Sequence, residues 1–279
     1  MVEQKFMVDS WCYRGTDSGS FGATVRVCIC ALLLAVYPLY IANGQRVVDK
    51  NTLKDNTMEN VDYRAEMERI LAGLNGMSDL NTGEALELME EGMYCSILLA
   101  EENLREQRNY GQMGVLALRV LEYGTHLEGF DHMLNAVQNA TNRMVEALYD
   151  HPRLKLKLLY LRQTALMRIE AIEGHDISIL EDLREDIAQL RSNIEYADKG
   201  EFDKIVNEGM LKKDPVEWSA RYEEVIDEAE LLIDKMVADH PRGMGFCFAY
   251  WHAKAEVLSS KFGIEWRSPS VMNPRVMFD

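Results

Sequence analysis

The sequence predicts an all-α protein, a multi-helix bundle with an irregular C-terminal tail packed across it. Three observations carry that prediction. From residue 58 onward apolar residues recur every three or four positions, the period of a helix and not the alternation of a strand. The β-branched alternation expected of strands is missing. Helix-boundary signals fall between the apolar seams, with 47% apolar residues available to fill a globular core.

The chain opens differently. Residues 1–57 carry six Lys/Arg against five Asp/Glu, while residues 58–279 carry 24 against 41, so the net charge of −16 lies in the second part. This step places a boundary near Met58, with 1–57 as a leader and 58–279 as the helical domain. Within the leader, Val27–Ala42 ("VCICALLLAVYPLYIA") is uncharged, yet shorter than the ~20 residues of a membrane span and interrupted by Pro38. A signal peptide or anchor, a non-native extension and an integral part of the fold are all open for it.

After Met58, seams of apolar residues mark the helices. Phe130, Leu134, Val137, Thr141, Met144 and Leu148 step 4-3-4-3-4, as do Trp218, Tyr222, Val225, Ala229, Leu232 and Met236. Leu180, Leu183, Ile187, Leu190 and Ile194 step 3-4-3-4. Such narrow seams, charged on their other faces, suit helices packed side by side. Asp214 before Pro215 and Glu217 reads as a helix start, and Ser178–Glu181 as a capping box. "DHPR" occurs at Asp150–Arg153 and Asp239–Arg242, each time between helices, but unmatched flanks exclude a repeat. The expected helices are 59–74, 83–106, 109–123, 129–149, 153–173, 177–197, 201–210, 215–238 and 244–262, with Gly124 and Gly129 breaking the chain between His126 and His132. Past Gly263 no helical period remains. Trp266, Val271, Met272, Val276 and Phe278 are too apolar for a solvated end, so the tail is expected to dock.

Composition and motifs narrow the chemistry. An acidic body repels phosphate backbones, which disfavours nucleic acid as a partner. Five cysteines (Cys12, Cys28, Cys30, Cys95, Cys247) show no zinc or redox spacing, and the expectation is a reduced, cytoplasmic protein, or an exported or anchored one if 27–42 acts as an anchor. No Glu-x-x-His pair, HExxH, phosphate-binding glycine loop or nucleophile elbow is present. Glu128 and His132 could share one ion but form no complete set, so no metal and no cofactor is expected. The basic stretch Pro152–Arg168 is expected to pair internally with acids such as Glu181–Glu185.

The segment "GFCFAYW" (Gly245–Trp251) stands out. Phe246, Phe248, Tyr250 and Trp251 project in four directions, since successive residues turn about 100°, which marks a buried helix. Cys247 and His252 point about 140° apart on one helix and make no nucleophile–base pair. Polar handles amid aromatics suit a binding site. The candidates are Phe248, Tyr250, Trp251 and His252 with Trp266 and Arg267 from the tail; no catalytic residue is assigned. The sequence therefore suggests a non-enzymatic interaction or scaffolding protein with an unknown protein partner. The alternative is an enzyme or small-ligand receptor with an aromatic pocket between helix 244–262 and the tail.

Overall fold

The computed structural model describes residues 62–278. The leader, its apolar segment 27–42 and Cys12, Cys28 and Cys30 lie outside the described residues. Nine α-helices and no strand occur among the described residues. They are α1 (Tyr63–Asn75), α2 (Gly83–Arg105), α3 (Met113–Leu127), α4 (Leu134–Ala147), α5 (Pro152–Glu173), α6 (Ile179–Asp198), α7 (Ala220–Met236), α8 (Phe246–Phe262) and α9 (Pro269–Met272). Short side chains close the helix starts. Asp62 accepts the amides of Arg64 and Ala65, Thr82 that of Ala85, and Ser219 that of Tyr222.

Helix α5 holds the centre. Leu154, Leu158, Leu161, Ala165 and Ile169 join the core shared with α1–α4, while Leu159 and Leu166 face α6 and Trp218. A third apolar cluster gathers α7, α8, Ile264 and Trp266. Three of the five cations on α5 pair internally, with other acids than the expected Glu181–Glu185, while Arg162 Nε is buried without a hydrogen-bond partner. Arg153 meets Asp198 and Glu223, Lys155 meets Glu208, and Arg168 meets Glu128 and Asp131. The α4 and α6 seams are buried throughout, apart from a half-buried Phe130. On α7 the seam drifts: Met236 is exposed, and Ile226, Ile233 and Val237 take the buried face.

Several boundaries differ from expectation, each for a local reason. Residues 201–210 form no α-helix beyond a 3₁₀ turn at Phe202–Lys204, because the buried amide of Asn193 bonds both the N–H and the C=O of Val206 (2.9 and 2.8 Å) and holds that segment extended. Asp214 caps only the 3₁₀ turn Pro215–Trp218; Ser219 is extended (ψ 149°) and starts α7 afresh. Ser178 forms no capping bond, being helical itself, and Glu170 instead accepts the amide of Ile177. Helix α3 runs through Gly124, where a Cβ would come within 2.9 Å of Leu161, so this glycine serves helix approach and not a break. The tail contains one helical turn, α9, capped by Ser268.

Gly114 lets α3 lie close against Asp227 of α7 and His151 of the loop before α5. A Cβ there would collide with Asp227 Oδ2 and lie 2.9 Å from His151 Nε2. Gly114→Ala is expected to destabilise by about 1–3 kcal/mol, the cost of overpacking. A melting temperature unchanged from the parent would show that the Asp227 side chain gives way freely.

Candidate functional site

Between α7, α8, the tail and the loop ahead of α5, the protein buries a group of charges. The Lys254 side chain is 5% exposed, and its Nζ lies 3.2 Å from Asp150 Oδ2 and 3.1 Å from Glu230 Oε1. Tyr222 donates its hydroxyl to Asp150 (2.8 Å) and Tyr250 to Glu230 (2.6 Å). The ammonium also stands 5.4–5.6 Å from the ring centres of Tyr222, Tyr250 and Trp266, within cation–π range. Trp266 in turn donates its indole N–H to Glu217 (2.7 Å). Helix geometry produces this convergence: Tyr250 and Lys254 are one turn apart on α8, and Tyr222, Ile226 and Glu230 repeat at four on α7.

The electrostatics follow from three carboxylates around one ammonium. Burial alone would lower the Lys254 pKa, but Asp150, Glu230 and Glu217 outweigh it and raise it. Burial would likewise raise Asp150, yet Lys254 and the Tyr222 hydroxyl hold it below the usual carboxylate value. Glu217 is raised, by burial and then by Asp150; Glu230 is raised by burial despite Lys254. Glu230 Oε2 is buried without a hydrogen-bond partner. Burial, and the acids behind it, also raise both tyrosines well above the ordinary phenol value. Lys254 therefore stays an ammonium and cannot act as an amine nucleophile, while Tyr222 and Tyr250 stay phenols.

Glu217 gives a signed pH prediction. A carboxyl whose folded pKa is raised stabilises the fold below its unfolded pKa of ~4.3, and that contribution is lost as pH rises through the folded value. Glu217→Gln keeps an oxygen for the Trp266 N–H and removes the titration. Its melting temperature relative to the parent is expected to rise from pH 4 to pH 8; a constant difference across that range would contradict the assignment.

The loop Asp150–Arg153 ties the same region to α5. His151 Nε2 lies 3.0 Å from Asp227 Oδ1. His151 does not cap α5 with its side chain; Glu223 of α7 does so from outside, accepting the amides of Arg153 (2.9 Å) and Leu154 (3.0 Å). Burial would lower the His151 pKa, but its bond to Asp227 and the surrounding acids raise it.

The six residues singled out from sequence separate into different places. Tyr250 and Trp266 join the Lys254 group. Phe248, 47% exposed, meets Trp251 edge-on at 5.5 Å, and Trp251 meets Phe278 at 5.1 Å. Helix α8 is thus less enclosed than its composition suggested, since one aromatic side faces outward. His252 is exposed, 4.0 Å from Glu256. Arg267 is exposed yet fastened: its amide and Nε meet Asp214 Oδ2 at 2.7 and 3.0 Å. Between α8 and the tail, where the alternative reading placed a pocket, Trp266 and Ile264 are buried in the α7–α8 apolar cluster. A cleft opens instead beside Glu217, lined by Tyr149, Lys155, Leu190, Lys213 and Trp218, with room for a water molecule and not a metabolite.

Sequence reasoning missed Asp150, Glu217, Tyr222, Glu230 and Lys254. One signal was present: Lys254 lies at helical spacing from Tyr250 among apolar residues of α8. Among the described residues no group of three or more His, Cys, Asp or Glu is placed to hold a metal, and no helix is long and apolar enough to cross a membrane. Cys95 and Cys247 are buried free thiols; burial pushes Cys95 up to about 11. Comparison with protein-family models, curated proteins and solved structures yields no match.

Proposed function

We propose that this is a helical interaction or scaffolding protein that offers the outer side of α8 and the end of the tail to a protein partner. One observation carries the reading: the aromatic run Phe248–Trp251–Phe278 reaches the surface on a rigid support. Met244, 88% exposed just ahead of α8, and Met277 beside Phe278 add apolar area. Aromatic and Met side chains of this kind anchor protein interfaces. Behind them, Trp266–Glu217, Arg267–Asp214 and the Asn273 bonds to the Lys212 backbone (2.9 Å each) hold the tail in place. A preformed surface binds without the cost of ordering itself first.

A photo-crosslinking amino acid placed at position 248 in the native host tests this. A discrete adduct is expected there and not at Glu185, an exposed control on α6. Absence of an adduct at 248, or equal yields at both positions, would remove the reading.

A second reading, an enzyme or small-ligand receptor, has one specific support. Glu217 is tilted towards its neutral acid form and lines a cleft. The cleft as it stands has room for a water molecule, so this reading requires it to widen. Fragment screening that follows the Trp218 indole resonance would favour it if a compound shifts that signal in the parent and not in Glu217→Gln.

A further inference from the structure

The apolar core built from α7, α8, Ile264 and Trp266 shares no residue with the core of α1–α5. Along the seam between them, Leu231 of α7 lies against Gly111, and Tyr110 meets Tyr250 edge-on at 5.5 Å. Beside these contacts, polar side chains from one short segment, Asp150–Arg153, cross the seam. Asp150 takes the Tyr222 hydroxyl and the Lys254 ammonium, His151 meets Asp227, and Arg153 meets Glu223. The same four residue types at Asp239–Arg242 stay local. All four are exposed, and Arg242 reaches the nearby carbonyls of Val237 and His240 and the ring of Phe246.

His151 occupies a tight point of that seam. Its ring is buried, and a Cβ on Gly114 would lie 2.9 Å from its Nε2, so α3 meets it without a side chain at that position. Nε2 lies 3.0 Å from Asp227 Oδ1, while Nδ1 is buried with no hydrogen-bond partner. The ring is thus held through one nitrogen, and its charge is set by the groups around it. The acids that act on it are Asp227 and Glu223 of α7 and Asp150 of its own segment. Lys254 of α8 and Glu217 act in turn on Asp150, and Arg153 holds Glu223 and Asp198 of α6. The Asp227 side chain is 37% exposed, so protons reach the pair from solvent.

We infer that Asp150–Arg153 is a clasp docking the α7–α8 unit on the α1–α5 bundle, and that a proton on His151 tightens it. The Nε2 bond to Asp227 exists with the ring neutral or protonated. Only the protonated ring makes it a charge-assisted bond, roughly twice as strong as a neutral one. Burial opposes that form, but the Asp227 bond and the charges of Asp227, Asp150 and Glu223 favour it more in the folded protein than in the unfolded chain. The contribution is therefore complete below the unfolded histidine value of ~6.5 and is lost as pH rises through the folded value. Acid tightens the clasp and alkali loosens it. Because α7 and α8 carry their own apolar core, a loosened clasp lets them open as a unit while the bundle stays folded.

The test uses hydrogen exchange of the full chain, read by mass spectrometry at about pH 6 and pH 8.5 and corrected for the intrinsic acceleration of exchange with pH. Protection of α7 peptides is expected to fall about threefold or more between the two conditions, with α2 unchanged. His151→Gln keeps a side-chain N–H for Asp227 but cannot titrate, so α7 should lose its pH dependence in that variant. Glu217 and Glu230 also border α7, and their raised values act in the same direction. A pH dependence that persists in His151→Gln therefore assigns it to those acids and overturns the inference. An equal fall in α2 and α7 overturns it as well, because the whole protein would then be opening. The imidazole resonance of His151 in the parent needs no variant. It should titrate above the ordinary histidine value of ~6.5, at the pH where α7 loses protection. A ring that titrates below that value, or at a pH unrelated to the loss of protection, overturns the inference.

Discussion

Lys254→Ala is expected to destabilise the protein by about 3–5 kcal/mol, the cost of leaving buried charge without its counter-ion. The substitution strips the ammonium from Asp150 and Glu230, which it contacts at 3.2 and 3.1 Å, and leaves three carboxyls facing one another. The loss should be largest at alkaline pH, because at low pH Glu217 and Glu230, whose pKa values burial already raises, can take up protons and relieve the repulsion. Replacing the pair together, Lys254→Met with Glu230→Leu, should cost less than Lys254→Ala alone, since a buried ion pair exchanged for apolar side chains of similar volume is often neutral. Urea unfolding of the three proteins at two pH values measures this. A single variant within about 1 kcal/mol of the parent would mean that water reaches the cluster and solvates the orphaned acids.

Trp266→Ala is expected to cost about 3–5 kcal/mol, the range for emptying a large aromatic site. Its ring is buried among α7 and α8, lies against Lys254 and donates to Glu217. Trp266→Phe separates the contributions: it keeps most of the apolar contact and loses the 2.7 Å hydrogen bond to Glu217, so a smaller loss of about 1.5–3 kcal/mol is expected. Removing residues 266–279 altogether should expose the side of α8 that carries Trp251 and promote aggregation. Thermal melting and light scattering follow both effects. If removal changes neither, the tail is a detachable peptide and Arg267–Asp214 and Asn273 contribute nothing to its docking.

The sequence of α8 was informative and misleading at once. "FCFAYWHAKAEVL" reads as a helix buried on all sides, and Phe246, Cys247, Ala253, Val257 and Leu258 are indeed buried. Yet Phe248 faces outward while Lys254, the one cation of that run besides His252, is 4% exposed. Side-chain type sets a preference for the interior, whereas occupancy depends on which neighbours arrive. Lys254 is tolerated inside because α7 brings Glu230 and the loop before α5 brings Asp150.

Local regularities determined by themselves that the described residues are helical. The three-and-four spacing and the loss of helical period past Gly263 act within one or two turns, so no partner is needed to read them. The starts read at Asp214 and Ser178, by contrast, cap no α-helix, and those at Asp62, Thr82 and Ser219 came from the structure. The apolar composition of the tail likewise forced it onto the body, since a free end with Trp266 and Phe278 would leave large surfaces in water. Only the tertiary structure decided where the charges and the apolar side of α8 would go. The Lys254 group draws Asp150, Glu217, Tyr222, Glu230, Tyr250 and Trp266 from segments more than a hundred residues apart, and no periodic pattern records such meetings. The same holds for Asn193, whose amide keeps Val206 out of a helix, and for Glu223, which caps α5 from another helix. Electrostatic and hydrogen-bond energies depend on the distance between groups in space and on the water excluded from between them, and both quantities exist only once the helices have packed.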